Sequence, residues 1–305
     1  MPARPKSRKD KDPRVTERRN PASKNLDRMT ALQIVRLMNH EDHKVAAAVA
    51  RELPSIARAV DAIVQRMQLG GRLIYVGAGT SGRIAVLDAS ECPSTFSTPP
   101  GLVRALIAGG RKAITGPVEG AEDRPQGAVR ELKKIALKTN DALVGIAASG
   151  TTPYVLGAIG FAKRRKALTI GISCNYNSPL GRAADIAITP VVGPEVLTGS
   201  TRLKSGTAQK MVLNMLSTAV MVRLGHAYDN LMIDHGIANE KLRKRSKQIL
   251  EVASSRSVSA VEHALRQSEH DQRVALVMLK SGVSASQARK KLADSGGRLR
   301  TALGE

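Results

Sequence analysis

Five short apolar runs punctuate the middle of the chain: Leu73–Val76, Val103–Ile107, Ala142–Ala147, Leu168–Ser173 and Ile186–Thr189. Each is too short for a core helix and too uniformly apolar for a half-exposed strand, so each reads as a strand buried on both faces. Between them lie segments of helical patterning: Ser81–Ala89, Pro125–Ala136, Pro153–Arg165 and Pro179–Ala183. Strand–helix alternation of this kind predicts an α/β fold with a doubly wound parallel sheet. In such sheets ligands sit beyond the carboxyl ends of the strands, so the loops that leave those ends are where function is to be sought.

The flanks extend this plan. Thr30–His40 reads as a short helix capped by Thr30, and Glu41–Gln68 follows with apolar residues at helical spacing, which Pro54 should kink or divide. Ser205–Tyr228 is a long helix, apolar enough to be largely buried. After Asn239 no strand is predicted. A basic helix, Glu240–Ser255, is followed by shorter ones at about Val258–Gln267, Asp271–Lys280 and Ser284–Ser295, which together make a small C-terminal helical subdomain. The resulting division is a disordered basic tail over 1–15, a sheet domain with its N-terminal helices over 16–250, and the helical subdomain over 251–305.

Composition narrows the function. Aromatic residues are 2% of the 305 and Trp is absent, so the core must be built from Ala, Val, Leu and Ile. The net charge of +22 is concentrated partly in the polar start MPARPKSRKDKDPR. No aromatics interleave with those basic residues, so nothing offers stacking to a nucleic acid strand, and no nucleic acid partner is predicted. Cys92 and Cys174 stand in unrelated contexts. The six histidines are scattered, only His226 and His235 lie in a stretch suited to the core, and there is no H-E-x-x-H, so no metal site is predicted. With no apolar leader and no run of 18 apolar residues, the expectation is a cytoplasmic protein with no membrane partner.

The first loop, in YVGAGTSGR, matches G-x-G-x-x-G between a strand and a helix, as a dinucleotide site requires. Such a site also needs an acid about 20 residues on for the ribose hydroxyl, and from Cys92 to Val118 there is none. Only an NADP variant using Arg111 would escape that test. No dinucleotide, and no other cofactor, is predicted. The loop offers Gly79, Thr80 and Ser81 at a helix N-terminus, where backbone N–H groups favour an anion. The loop after Ala142–Ala147 repeats the logic with Ser149, Thr151 and Thr152 ahead of Pro153. Two hydroxyl loops without a P-loop lysine suit a phosphate monoester better than a nucleoside triphosphate. Glu91, near the end of the first helix, and Glu122, between the second strand and the next helix, can divide acid and base roles, although Asp88 and Asp123 are equally available from spacing alone.

Longer blocks are more specific than any of these. GAGTSGR with LDASECPSTF, then EGAED, GIAASGTTPYVLGA and PVVGPEVLTGSTRLKSGTAQKMVLNMLST closely resemble the N-acetylmuramic acid 6-phosphate etherases of the sugar isomerase domain superfamily. TERRNP, NLMIDHGIANEKLRKR and GGRLRTAL extend the likeness over about Thr16–Leu303. The resemblance implies a homodimeric bacterial lyase that acts on a small-molecule sugar phosphate, needs no metal or cofactor and serves peptidoglycan recycling. It places the catalytic pair on Glu91 and Glu122, here assigned as acid and base respectively. Thr80, Ser81, Ser149, Thr151 and Thr152 are expected to hold the substrate, with Ser200, Thr201 and Lys204 as further lining. Thr151 stands where the family often has Arg, and Ser94 where it has a second Pro. A sugar-phosphate sensor, an aldose–ketose isomerase and a sensor-type DNA regulator are the competing readings. Retention of both glutamates favours the lyase.

Overall fold

The computed structural model describes residues 12–234 and 240–305. Residues 1–11 of the basic tail, and His235 with the rest of 235–239, lie outside the described residues. Three 3₁₀ turns, Val15–Glu17, Pro21–Ser23 and Leu26–Arg28, lead into α1 (Ala31–Ala50). Thr30 caps α1 in a capping box with Gln33, as expected. The helix does not stop at His40 but runs on through Glu41. The break falls at Arg51–Glu52, and Pro54 sits in the first turn of α2 (Leu53–Gln68), where its missing N–H costs nothing.

The five predicted strands all form: β1 (Leu73–Gly77), β2 (Val103–Ile107), β3 (Ala142–Ile146), β4 (Leu168–Ile172) and β5 (Ile186–Ile188). They pair in parallel in the order β2-β1-β3-β4-β5. The direction of winding reverses between β1 and β3, which run in register from Leu73 opposite Ala142 to Gly77 opposite Ile146. That reversal is the switch point at which open α/β sheets bind ligands. Every residue of β1, β3 and β4 is buried, which is why these strands read as unbroken apolar runs.

Around the sheet come α3 (Gly79–Phe96), a short α4 (Lys112–Thr115), α5 (Pro125–Lys134), α6 (Pro153–Arg164), α7 (Pro179–Ala183) and α8 (Lys204–Arg223). The core on the α5–α6 side is Ile74, Val76, Leu132, Leu143, Val155 and Ile159 with several alanines, the aliphatic packing that the composition demands. Two glycines of the first loop let the start of α3 approach β1 and β2 closely. A Cβ on Gly77 would lie 2.7 Å from the backbone N of Gly82, and one on Gly82 would lie 2.5 Å from Ile107 Cγ1. The strand and helix approach too closely there for any side chain.

The chain then forms α9 (Glu240–Ser254), α10 (Val258–Gln267), α11 (Gln272–Ser281), α12 (Ala285–Asp294) and a last turn, α13 (Leu299–Leu303). Their core includes Leu250, Val261, Leu265, Val274, Leu276 and Val277. By compactness the chain separates into one unit up to Ala89 plus Leu102–Leu216, and another of Ser90–Gly101 plus Ser217–Glu305. Charge and composition put the boundary after residue 250, because α3 and α8 run unbroken from one unit into the other and no linker marks the change. Among the described residues no helix is long and apolar enough to cross a membrane.

Candidate functional site

The first unit brings both hydroxyl loops to the β1/β3 switch point. β1 ends at Gly77, and Gly79, in the left-handed region at φ +52°, turns the chain into α3. Thr80 is half-buried at the first turn of α3. A Cβ on Gly206 would lie 3.5 Å from both Thr80 Cγ2 and Thr201 O, so the turn carrying Ser200 and Thr201 adjoins the first loop. Ser81 is buried, and its hydroxyl donates to Gln209 Oε1 at 2.9 Å. Seven residues further along α3, buried Asp88 accepts from Asn214 Nδ2 at 2.7 Å and from the Tyr75 hydroxyl at 2.9 Å. Helix α3 is thereby stapled to α8 twice and to β1 once. Asp88 is a structural carboxylate in this arrangement, not an open acid.

Arg83, the last residue of GAGTSGR, reaches across to the next connection. Its Nε and one terminal nitrogen donate to Ile114 O and Gly116 O, both at 3.1 Å. It thus fixes the turn three residues ahead of Glu119 and six ahead of Glu122. We expect Arg83→Met to lower kcat/KM for the reaction that the resemblance implies by ~10-fold, a loss of about 1.4 kcal/mol, with Arg83→Lys between it and the parent. Unchanged kinetics in Arg83→Met would remove this residue from the site's support.

The second loop leaves β3 and enters α6. Gly150 sits at φ +71°, and a Cβ there would lie 2.3 Å from Ser178 Cβ. Thr151 donates to Ser149 Oγ from its hydroxyl at 3.0 Å and from its N–H at 3.2 Å. Glu122 joins the same helix end, because its carbonyl accepts the Tyr154 N–H at 2.9 Å in the first turn of α6. The expected base and the second of the two hydroxyl loops therefore share one helix N-terminus, with the Glu122 side chain exposed. Gly150→Ala should lower stability by about 1–3 kcal/mol and raise KM, through both the strained φ and the clash. Thermal unfolding alongside initial rates checks this.

Glu91 falls in the second unit. The apolar run suggests a helix ending at Ala89, but α3 continues to Phe96 with Pro93 inside it, so Glu91 lies within the helix and not beyond it. Its turn is well anchored. Cys92 and Phe96 are buried, the Phe96 ring lies edge-on to His226 with centroids 6.3 Å apart, and His226 Nδ1 is 2.7 Å from Asp234 Oδ2. Ser94 donates to Glu91 O at 3.0 Å. Glu91 itself is exposed.

Lys204 is placed differently from a lining residue. Only 1% of its side chain is exposed, and its ammonium donates to Glu41 Oε2 at 2.5 Å and Pro194 O at 2.8 Å. Asn20 Nδ2 donates to the same Glu41 oxygen at 2.9 Å and to Pro194 O at 3.1 Å. Burial on its own would raise the Glu41 carboxyl, but the hydrogen bonds from Lys204, Lys44 and Asn20 outweigh it and bring it down to about 2. Beside this pair, fully buried Glu195 accepts the Lys204 and Ser205 N–H groups at 3.1 and 2.9 Å and so caps α8. Sequence reasoning missed Gln209, Asn214 and Asn175. The first two sit in the TAQKMVLN stretch of α8, where polar residues interrupt an otherwise apolar helix, and that interruption is their only signal.

A parallel sheet wound 2-1-3-4-5 is shared by several doubly wound folds, and the paired hydroxyl loops at its switch point fit a sugar isomerase (SIS) domain. Two family models agree: the glucokinase regulatory protein N-terminal SIS domain matches residues 55–163 and the SIS domain matches 124–219. Among curated proteins, the N-acetylmuramic acid 6-phosphate etherase of Pectobacterium atrosepticum is 51% identical over 289 residues, 95% of each chain. That of Edwardsiella ictaluri is 52% identical over 294 residues, 96% of this chain and 98% of its own. That of Streptomyces coelicolor is 50% identical over 302 residues, 99% of this chain and 97% of its own. The chain belongs to the N-acetylmuramic acid 6-phosphate etherase family.

Proposed function

We propose that this protein is a carbon–oxygen lyase that cleaves the D-lactyl ether of N-acetylmuramic acid 6-phosphate, giving N-acetylglucosamine 6-phosphate and D-lactate. Family membership along nearly the whole chain carries this reading, and the exposed Glu91 and Glu122 supply the chemistry. When the sugar ring opens to the aldehyde, the C2 proton becomes acidic. Glu122 removes it as base. Glu91, as acid, protonates the ether oxygen while the C3–O bond breaks, and lactate departs to leave a C2–C3 double bond conjugated with the aldehyde. Water then adds: its proton goes to Glu91 as its hydroxyl attaches to C3, and Glu122 returns its proton to C2, which regenerates both carboxyl groups. Each proton transfer by a positioned carboxyl is worth ~10²–10⁴-fold.

Gly79, Thr80 and Ser81 of the first loop, Ser149, Thr151 and Thr152 of the second, and Ser200 line the substrate. Lys204 acts through the turn that it holds in place. The enzyme works without a cofactor, in the bacterial cytoplasm, as a homodimer. The first half of α1 supports a dimer: Leu32 and Val35 are more than half exposed and adjoin partly exposed Ile34, Leu37 and Met38. The test is D-lactate release from N-acetylmuramic acid 6-phosphate by purified protein in EDTA, one equivalent per sugar. Binding of the sugar phosphate with no lactate formed would make the protein a sensor.

A further inference from the structure

A cleft of about 770 Å³ opens at the carboxyl ends of β3 and β4. The second loop, the turn after β4 and the N-terminal segment enclose it. That segment is held there by one buried amide. Asn175 accepts the Thr16 N–H at 3.2 Å and donates to Thr16 Oγ1 at 3.0 Å, and the same Nδ2 donates to Ala148 O at 3.1 Å and Ser149 O at 3.3 Å. Thr16 is fully buried and Asn175 is 2% exposed. The latch places Arg14 and Arg18, two residues to either side of Thr16, on the rim of the cleft, and Arg182 of α7 joins them there.

Among the lining residues these three guanidiniums meet a single carboxylate, Asp12. Asp12 is taken by Arg14, with Nε to Oδ1 at 2.9 Å. Arg18 donates to Pro13 O at 3.2 Å and Arg182 to Asn177 O. Among the described residues, each of these two spends one nitrogen on a carbonyl and has no carboxylate partner, though a guanidinium carries five N–H donors. Ser149 and Thr151 bring hydroxyls to the same cleft. Two unneutralised guanidiniums with nearby hydroxyls match a dianion with several acceptor oxygens, and the planar fork of Arg suits phosphate. The volume exceeds that of a bare phosphate and admits a sugar attached to it.

We propose that this cleft seats the phosphomonoester of the substrate, with Arg18 and Arg182 as its charged anchors. The assignment rests on the etherase reading for the identity of the sugar. It gives the phosphate to the second loop and leaves the first loop for the sugar.

The test uses the full chain and the variants Arg18→Ala, Arg182→Ala and the double. Both side chains are exposed, so the fold should survive, and circular dichroism confirms it. Each single variant should raise KM for lactate release by ~10-fold with kcat within ~3-fold, and Lys at either position should restore part of the loss. Calorimetry should show N-acetylglucosamine 6-phosphate binding the parent, N-acetylglucosamine failing to bind it, and the double variant losing the phosphorylated ligand. Unchanged KM and unchanged binding in the double variant would overturn the proposal. So would loss of inorganic phosphate binding with KM intact, which would make the cleft a separate anion site. If the parent releases no lactate, the etherase reading fails alone, since the calorimetric comparison still decides the cleft.

Discussion

Replacing Glu122 with Gln should reduce D-lactate release from N-acetylmuramic acid 6-phosphate by ~10²–10⁴-fold, and Glu91→Gln should do the same. Both carboxylates are exposed, so neither change should move the unfolding midpoint. The two variants part company in an exchange experiment. Glu91→Gln keeps the base and should still wash solvent deuterium into C2 of the substrate, whereas Glu122→Gln should not. The reverse pattern would exchange the acid and base roles while leaving the reaction class intact. Activity surviving in both variants would send the search to other carboxylates. Asp88 is the poorest of these, being already committed to Tyr75 and Asn214.

The second large effect is on stability. Lys204→Met removes the buried cation and leaves Glu41 with Lys44, whose side chain is half exposed, as its remaining cationic partner beside Asn20. The expected loss is at the low end of the ~3–5 kcal/mol range for a broken buried pair, read from urea unfolding. Adding Glu41→Leu to Lys204→Met should recover much of it, because the desolvated charge is then gone as well. The same pair predicts an acid limb. The Glu41 carboxyl, ordinarily near 4.5, is held at about 2 in the folded state. Between those values the unfolded chain binds the extra proton, so stability is complete above about pH 4.5 and falls as pH drops toward 2. The span corresponds to about 3 kcal/mol. In Glu41→Gln this limb should flatten. An unaltered acid limb in that variant would assign acid unfolding to other carboxylates.

The strands were legible because β1, β3 and β4 are buried on both faces, so that hydrophobicity alone outlines them. The two loops were legible because glycines and hydroxyls cluster in single stretches at strand ends. What was not legible depended on partners far away in the chain. Glu41 looks like a surface break in α1, yet the helix runs through it because Lys204, 163 residues on, neutralises it. Pro93 looks like a terminator, but α3 continues past it to bury Cys92 and Phe96. Lys204 looked like a ligand for an anion because it follows Ser200 and Thr201 in a loop, and no local pattern reveals that a carboxylate from α1 already holds it. Asn175 belongs to no motif. Its importance comes from Thr16, a residue separated from it by nearly the whole first unit.

The path of the chain also limits how this protein can be taken apart. It enters the second compact unit twice, first for the twelve residues Ser90–Gly101 and finally from Ser217 onward. A stop codon after Leu216 would therefore not release a self-contained sheet domain. It would strand a short excursion carrying Cys92 and Phe96 with the His226 ring gone, and expose apolar side chains that a solubility assay would register as aggregation. Neither half can be exchanged as a cassette by a single crossover. Recombination between relatives should preserve function only where Ser90–Gly101 and the C-terminal helices come from the same parent.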